Sequence, residues 1–395
     1  MLATAAAVFV VCPVLVAVTE VQPAAASGTV NIGFICDCND GTLSSSDSVT
    51  QPTMEAWASY VNAHGGLDGE HVNVIYEDPH MSDGTATAEA ETLVSDHVIA
   101  IVDVTSSDNV WASIVQQAGI PVVGGNTSSE TFTTNPDFFA VGETLDAYFT
   151  NFVAAAKKAG AKSLGELYCA EAVTCQEAVA PLKAAAAKEN MPLSYVTSIS
   201  ASSPNFTAPC LAAEQAKVQA LIVADAVSIV ESVASSCNQQ GYKPYYVALD
   251  GAISISMTKT PGLQTSLVGS EPNIPFWVTD TPATETLHSA LEKYQPALLK
   301  NPNFSELVTQ AWASGLLISD AAKAGHLGSG GKATAAQLKA GLYDLHGDTL
   351  GGMAPPLTFK KGVPNPIDCW YWMRIQNKKF TTPYGLAPVC VHVSS

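Results

Sequence analysis

Charge is scarce in this chain of 395 residues, and positive charge is scarcest. Only 14% of residues are charged, with 18 Lys and Arg against 36 Asp and Glu, where soluble domains carry about 25% charged residues. The net charge of −18 at pH 7 repels a phosphate backbone and excludes nucleic acid as an expected partner. Short catalytic motifs are missing as well: there is no GxSxG, HExxH or GxGxxG, so no local nucleophile elbow, zinc helix or dinucleotide loop. A triad assembled from distant residues stays open at this level. The eight histidines are scattered with no pair at i, i+4, and no metal site is expected from local spacing. The run from Gly325 to Lys332 imitates a phosphate loop but has Ala333 where Ser or Thr is needed and His326 where Gly is expected, and no strand precedes it. It reads as a helix-joining loop. Low-complexity linkers are also absent, which argues against independent beads on a string.

What is present begins with an apolar leader. Leu2 to Val18 carries no charge, and Glu20 and the small residues Ala24-Ala25-Ala26-Ser27 follow. This pattern reads as a secretory signal over residues 1–26, cleaved after Ala26, although no Lys or Arg precedes the apolar core. Pro13 interrupts a run that is only just long enough to span a bilayer. A retained anchor, or lipid attachment at Cys12, is the alternative, with Val11 a poor neighbour for it. No second apolar run of that length follows, so the mature chain is expected to be soluble. Its length suggests two lobes rather than one core. Eight cysteines remain after the leader: Cys36, Cys38, Cys169, Cys175, Cys210, Cys237, Cys369 and Cys390. An even number behind a signal reads as disulfides. Eight cysteines allow 105 connectivities, which sequence alone does not settle; sequential pairing needs the smallest loops and gives the expectation Cys36–Cys38, Cys169–Cys175, Cys210–Cys237 and Cys369–Cys390, with the very small Cys36–Cys38 ring its weakest member.

Along the chain, strands and helices alternate. Thr29–Ile35 reads as a strand, Pro52–Ala63 as a helix, His71–Glu77 as a strand, and Thr85–Ser95 as a helix with Ala86, Ala90, Leu93 and Val94 on one face. Between the first two elements lies a long hydroxyl-rich loop. Gly65 and Gly66 supply the positive-φ residues that end a helix. Val98–Val104, Ile120–Val123 and Phe138–Val141 continue the strands. A second series starts with a helix over Thr144–Ala159. Leu164–Tyr168, Leu193–Ile199, Ala220–Val223 and Tyr245–Ala248 are its strands. Then come Phe276–Thr279, helices Ser305–Ala324 and Thr334–Leu345, and a closing hairpin over Cys369–Gln376 and Lys379–Pro383. Such alternation predicts an α/β fold with two doubly wound parallel-sheet lobes.

Several segments resemble a known family. Asn62-Ala63-His64-Gly65-Gly66-Leu67-Asp68-Gly69, Val104-Thr105-Ser106-Ser107, Pro121-Val122-Val123-Gly124-Gly125-Asn126-Thr127 and Leu249-Asp250-Gly251 occur in the order and spacing of extracytoplasmic solute-binding proteins of ABC transporters. The chain is similar to the leucine/isoleucine/valine-binding branch of the type I periplasmic-binding fold, over about Val30 to Lys378. The resemblance implies two lobes joined by three crossovers, with lobe 1 over 28–146 and 277–350 and lobe 2 over 147–276 and 351–395. It implies a monomer that binds a small polar solute (an amino acid, an amide or a related carboxylate) between the lobes. No catalysis and no cofactor are implied. The partners would be ABC permease subunits, the location extracytoplasmic, and the membrane reached only through the transporter or an N-terminal anchor.

The residues expected to bind ligand follow strand ends, where open α/β sheets hold ligands. Ser106 and Ser107 start a helix, and free N–H groups and hydroxyls there suit a carboxylate; Ser107 as a plain helix cap is the alternative. Asn126 and Thr127 pose the same choice. Asp250 ends a second-lobe strand and, by the resemblance, meets an ammonium group; otherwise it is a turn Asp. Ser46 is a candidate at the pocket edge. Glu171 and Asp225 stand where amino-acid binders commonly carry aromatics, which weakens the case for a branched-chain amino acid. Trp312 reads as core. A ligand-sensing receptor for a signalling partner is the second reading, and a secreted hydrolase the remote third.

Overall fold

The structure is a computed structural model that describes residue 1 and residues 28–38, 47–125, 129–171, 173–248, 251–329 and 331–391. The expected leader with Cys12, and the candidates Ser46, Asn126, Thr127 and Asp250, lie outside the described residues.

Nine elements open the chain. They are β1 (Thr29–Cys36), α1 (Thr50–Ala63), β2 (His71–Glu77), α2 (Asp83–Ser95), β3 (Ala100–Val104), α3 (Asp108–Gln117), β4 (Val122–Gly124), α4 (Thr131–Thr134) and β5 (Phe138–Ala140). Their strands form one five-stranded sheet in the order β2-β1-β3-β4-β5, parallel throughout. The central strands are short apolar runs because both faces are covered: Ile32, Phe34, Ile101, Val102, Val122 and Val123 are fully buried. The turn after α1 needs its glycine, since Gly66 has φ 82° and a Cβ there would lie 2.3 Å from the Glu70 carbonyl oxygen.

The second series runs α5 (Leu145–Lys158), β6 (Leu164–Cys169), α6 (Val173–Glu177), α7 (Val179–Lys188), β7 (Leu193–Ile199), α8 (Thr207–Gln215), β8 (Ala220–Ala224), α9 (Val227–Gln239), β9 (Tyr245–Val247) and β10 (Leu267–Glu271). The chain ends with α10 (Pro282–Tyr294), α11 (Glu306–Ala324), α12 (Ala335–Asp344), β11 (His346–Asp348), β12 (Leu357–Thr358), β13 (Cys369–Gln376), β14 (Lys379–Thr381) and β15 (Val389–Cys390). The second sheet has the order β14-β13-β10-β9-β8-β6-β7, with β15 also on β13. Strands β6 to β10 are parallel, and β13 is antiparallel to β10, β14 and β15. Helices α10 and α11 return to pack on α1, and α11 also meets β3 and β4.

One expected element differs. Phe276–Thr279 is not a strand: Phe276 and Trp277 instead pack their rings on Phe380 of β14, with Trp277 stacked at 4.5 Å. The strand of that region is β10, whose five residues are all buried, Ser270 and Glu271 included. β12 pairs with β11, and Phe359 meets Phe139 of β5 edge to face at 5.2 Å, so the chain stays with the first sheet as far as Phe359.

Three stretches carry the chain between the sheets, and they are bonded to one another. Thr144 N–H donates to the Ile367 carbonyl at 2.9 Å, and Ile367 N–H to the Thr144 hydroxyl at 3.1 Å. The Asn273 side-chain amide donates to the Val141 carbonyl at 2.8 Å. A Cβ on Gly142 would lie 2.5 Å from Pro272. Four disulfides join Cys36 to Cys38, Cys169 to Cys175, Cys210 to Cys237 and Cys369 to Cys390.

Two measurements test this packing. Glu166, in the middle of β6, is 2% exposed, and its Oε2 has no partner among the described residues. Burial pushes its carboxyl up to about 7. A folded-state value above the unfolded one means that folding favours the protonated form, so stability falls as pH rises from about 4.5 through about 7. Glu166→Gln should leave stability nearly unchanged at acid pH and raise it by about 2–3 kcal/mol above pH 7, read by urea unfolding. Cys210 and Cys237 are 27 residues apart and tie α8 to α9. Replacing both by Ala should cost about 3 kcal/mol through the freed unfolded chain, measured by the same unfolding curves.

Candidate ligand-binding site

In an open α/β sheet, the crevice lies where the strand order changes direction. In the first sheet that point falls between β1 and β3, because β2 lies on the other side of β1. The two segments that leave these strands are Asp37-Cys38 and Thr105-Ser106-Ser107. Asp37, only 4% exposed, joins them. Its N–H donates to the Val104 carbonyl at 3.2 Å. Its Oδ2 accepts from the Ser106 N–H at 3.1 Å and the Ser106 hydroxyl at 3.3 Å, and its Oδ1 accepts from the Met81 N–H at 2.8 Å. The loop that brings Met81 in from β2 is left-handed at both His80 and Met81, with φ 51° and 57°. Asp37 is framed by the Cys36–Cys38 bond, and the Thr50 hydroxyl lies 3.2 Å and 2.9 Å from the two sulfurs. The disulfide and α1 therefore fix the turn that carries the carboxylate.

Two further buried acids stand beside it. Asp103, on β3, accepts from the N–H and hydroxyl of Thr105 at 2.9 and 2.8 Å. Asp108, first residue of α3, accepts from the hydroxyls of Ser129 and Thr131, the latter at 3.1 Å. Burial pushes both carboxyls up; for Asp103 the neighbouring Asp108 charge adds to it, and the Asp37 charge adds less. Ser107 precedes α3 without capping it, and its buried hydroxyl has no partner among the described residues. Of the two expected serines, then, Ser106 is engaged by the chain itself, and Ser107 holds a free donor.

The second sheet changes direction between β6 and β8. Glu171 follows the first of these strands and Asp225 the second. Glu171 is exposed and accepts from the Ser200 hydroxyl at 2.8 Å and the Ala201 N–H at 2.9 Å. The hydroxyl bond first, and the N–H second, lower its carboxyl below the ordinary range. Asp225 is half-buried; one oxygen accepts from the Ala226 N–H, and the other has no partner among the described residues. Burial, with a smaller push from the Glu171 charge, moves it up to about 6. The structure thus brings Glu171 and Asp225 to one crevice. Trp312 is fully buried in α11, and Tyr60 packs on it at 5.7 Å. Lys332 is exposed in the connection between α11 and α12. Among the described residues no group of His, Cys, Asp and Glu could hold a metal ion, and no helix is long and apolar enough to cross a membrane.

Asp37, Asp103 and Asp108 were not among the residues expected from sequence. A signal for Asp103 exists, since an acid inside the apolar run Ile101–Val104 cannot face solvent in a buried strand. For Asp225, carbon-detected carboxyl titration should give a midpoint near 6. Glu171→Gln should move that midpoint down, because removing a like charge favours ionisation.

The chain matches a family model described as periplasmic binding protein over residues 29–379. Among solved structures, a fatty acid ABC transporter substrate-binding protein from Thermomonospora curvata superposes with TM-score 0.73 at 17% identity, covering 94% of this chain and 93% of its own. The branched-chain amino acid transporter substrate-binding protein LivJ from Streptococcus pneumoniae, solved with isoleucine, gives 0.71 at 17% identity, covering 92% and 99%. An ABC transporter solute-binding protein from R. palustris, in complex with 4-hydroxybenzoate, gives 0.70 at 15%, covering 89% and 95%. At these identities the likeness is one of fold. No curated protein matches the chain. Two sheets built on parallel strands, each with polar groups gathered where its strand order changes direction, and a family match across 29–379 together make this chain a member of the periplasmic binding protein family, whose members are extracytoplasmic solute-binding proteins and not enzymes.

Proposed function

We propose that this protein binds a small polar solute between two lobes and delivers it to an ABC importer. The observation that carries the reading is the gathering of polar side chains at both switch points, Asp37 and Ser107 on the first sheet and Glu171 and Asp225 on the second. Their partly unused donors and acceptors suit a polar ligand that touches both sheets. One lobe would comprise 28–146 with 277 to about 359, and the other 147–276 with the remainder; the sheet membership of the strands supports this division. Closure follows from such a site, because only a ligand with contacts on both sides favours the closed arrangement. The protein would work as a monomer, secreted or held at the cell surface by its leader or by the transporter. A sensory role with a signalling partner uses the same clamp, and genes for a permease and ATPase alongside would decide for transport.

Thermal-shift screening over amino acids, short amides, amines and aromatic acids should find a stabilising ligand. At 100 times Kd it should add about 2.7 kcal/mol to stability. The same ligand should shrink the molecule in small-angle scattering. Tight binding with unchanged dimensions would move the site inside one lobe.

A further inference from the structure

Among the described residues, the donors of Thr105, Ser106, Ser129 and Thr131 on the first sheet are already taken by carboxylates of the chain itself. The Ser106 N–H and hydroxyl serve Asp37, the Thr105 N–H and hydroxyl serve Asp103, and the Ser129 and Thr131 hydroxyls serve Asp108. All three acids are at least nine-tenths buried, and Asp103 keeps an oxygen with no partner among the described residues. A second observation is independent of these bonds. None of the loops that follow β1 to β5, the strands of the first sheet, contains a Lys or an Arg, although the chain has 18 such residues elsewhere. Helix dipoles explain acids near helix starts. They do not explain why those acids are turned onto the hydroxyls and N–H groups that would otherwise receive an anion.

We infer that the first-sheet side of the cleft selects ligand groups that donate hydrogen bonds, such as an ammonium, an amide N–H or a hydroxyl, and rejects a free carboxylate through Asp37. This narrows the proposed function and rests on it. An amino acid bound here would turn its ammonium toward the first sheet and its carboxylate elsewhere. Specificity of this kind works by repulsion: an anion at Ser106 meets a like charge that has no base to offset it. Among the described residues on this side, the Asp103 oxygen left open can only accept while its carboxyl is ionised and the open Ser107 hydroxyl both donates and accepts, so both fit a donor-bearing ligand.

The test has two arms. In the first, acetate is titrated into the labelled protein and the Ser106 amide resonance is followed. In the wild type that resonance should stay in place. Asp37→Ala frees the Ser106 donors, and acetate should then shift the resonance to saturation. Asp37→Asn, which keeps an acceptor and loses the charge, covers the case in which the alanine variant does not fold, and should also admit acetate. A wild-type Ser106 amide that titrates with acetate as readily as the variants overturns the inference. The second arm compares compounds matched in skeleton, such as leucinamide with leucine, benzylamine with benzoate, and putrescine with succinate. The carboxylate-free member of each binding pair should be favoured by about tenfold or more, and Asp37→Asn should shrink that ratio. Preference for the carboxylate member overturns the inference. If acetate behaves as expected while no compound of any class binds, the occupancy of Ser106 by Asp37 stands and the solute-binding reading falls.

Discussion

The constraint on which this architecture rests is that a chain passing repeatedly between two sheets must satisfy its backbone at the crossing. Peptide groups buried there have no water to turn to, and an unpaired one costs about 1–3 kcal/mol. The structure meets the requirement by bonding the crossings to each other: Thr144 with Ile367, and Asn273 with Val141. Both side chains are essentially buried, so these are internal bonds and not surface decoration. The close approach of Gly142 to Pro272 leaves no room for a side chain. Parallel strands alone would leave the sheets as separate bodies. The bonded crossings give them a common joint, which the proposed closure about a ligand would use.

A second consequence concerns how so weakly charged a chain places its acids. Carboxylates buried in parallel strands and helix starts need donors, and hydroxyls are the most compact donors available. Thr105, Ser106, Ser129 and Thr131 meet this need on the first sheet, and on the second Ser200 bonds the exposed Glu171. The enrichment in Ser and Thr around the strand ends is therefore partly internal solvation. Hydroxyls in such loops invite a reading as ligand contacts, and here several of them answer to the chain's own charge.

The alternation of strand and helix was readable because each strand is a short apolar run bounded by turn residues, and α1 ends in paired glycines. The parallel sheets follow from that alternation. β10 escaped because Ser270 and Glu271 give Leu267–Glu271 a polar end although all five residues are buried. α10 escaped although Thr281 and Thr284 form a capping box around Pro282, since the run beyond it carries two glutamates, a histidine and a lysine among few apolar residues. Phe276 and Trp277 looked like strand residues because aromatics suit strands, but a proline stands before them and their rings are claimed by Phe380. Propensity was right about burial there and wrong about conformation.

The site was legible only in part, and for a physical reason. Position at a strand end can be read from the pattern, so Ser106, Ser107, Glu171 and Asp225 could be placed near switch points. What each group does depends on its neighbour across the sheet, and those neighbours come from distant sequence: Asp37 reaches Ser106 over 69 positions and Met81 over 44. Neither spacing leaves a trace in a local motif. The Cys36–Cys38 bond holds Asp37 in its turn, and a carboxylate so held beside a crevice is a better guide to ligand chemistry than the hydroxyls it consumes. In the proposed cleft, the sign of the groups left open at the switch points, more than the count of polar residues there, would limit the solutes that bind.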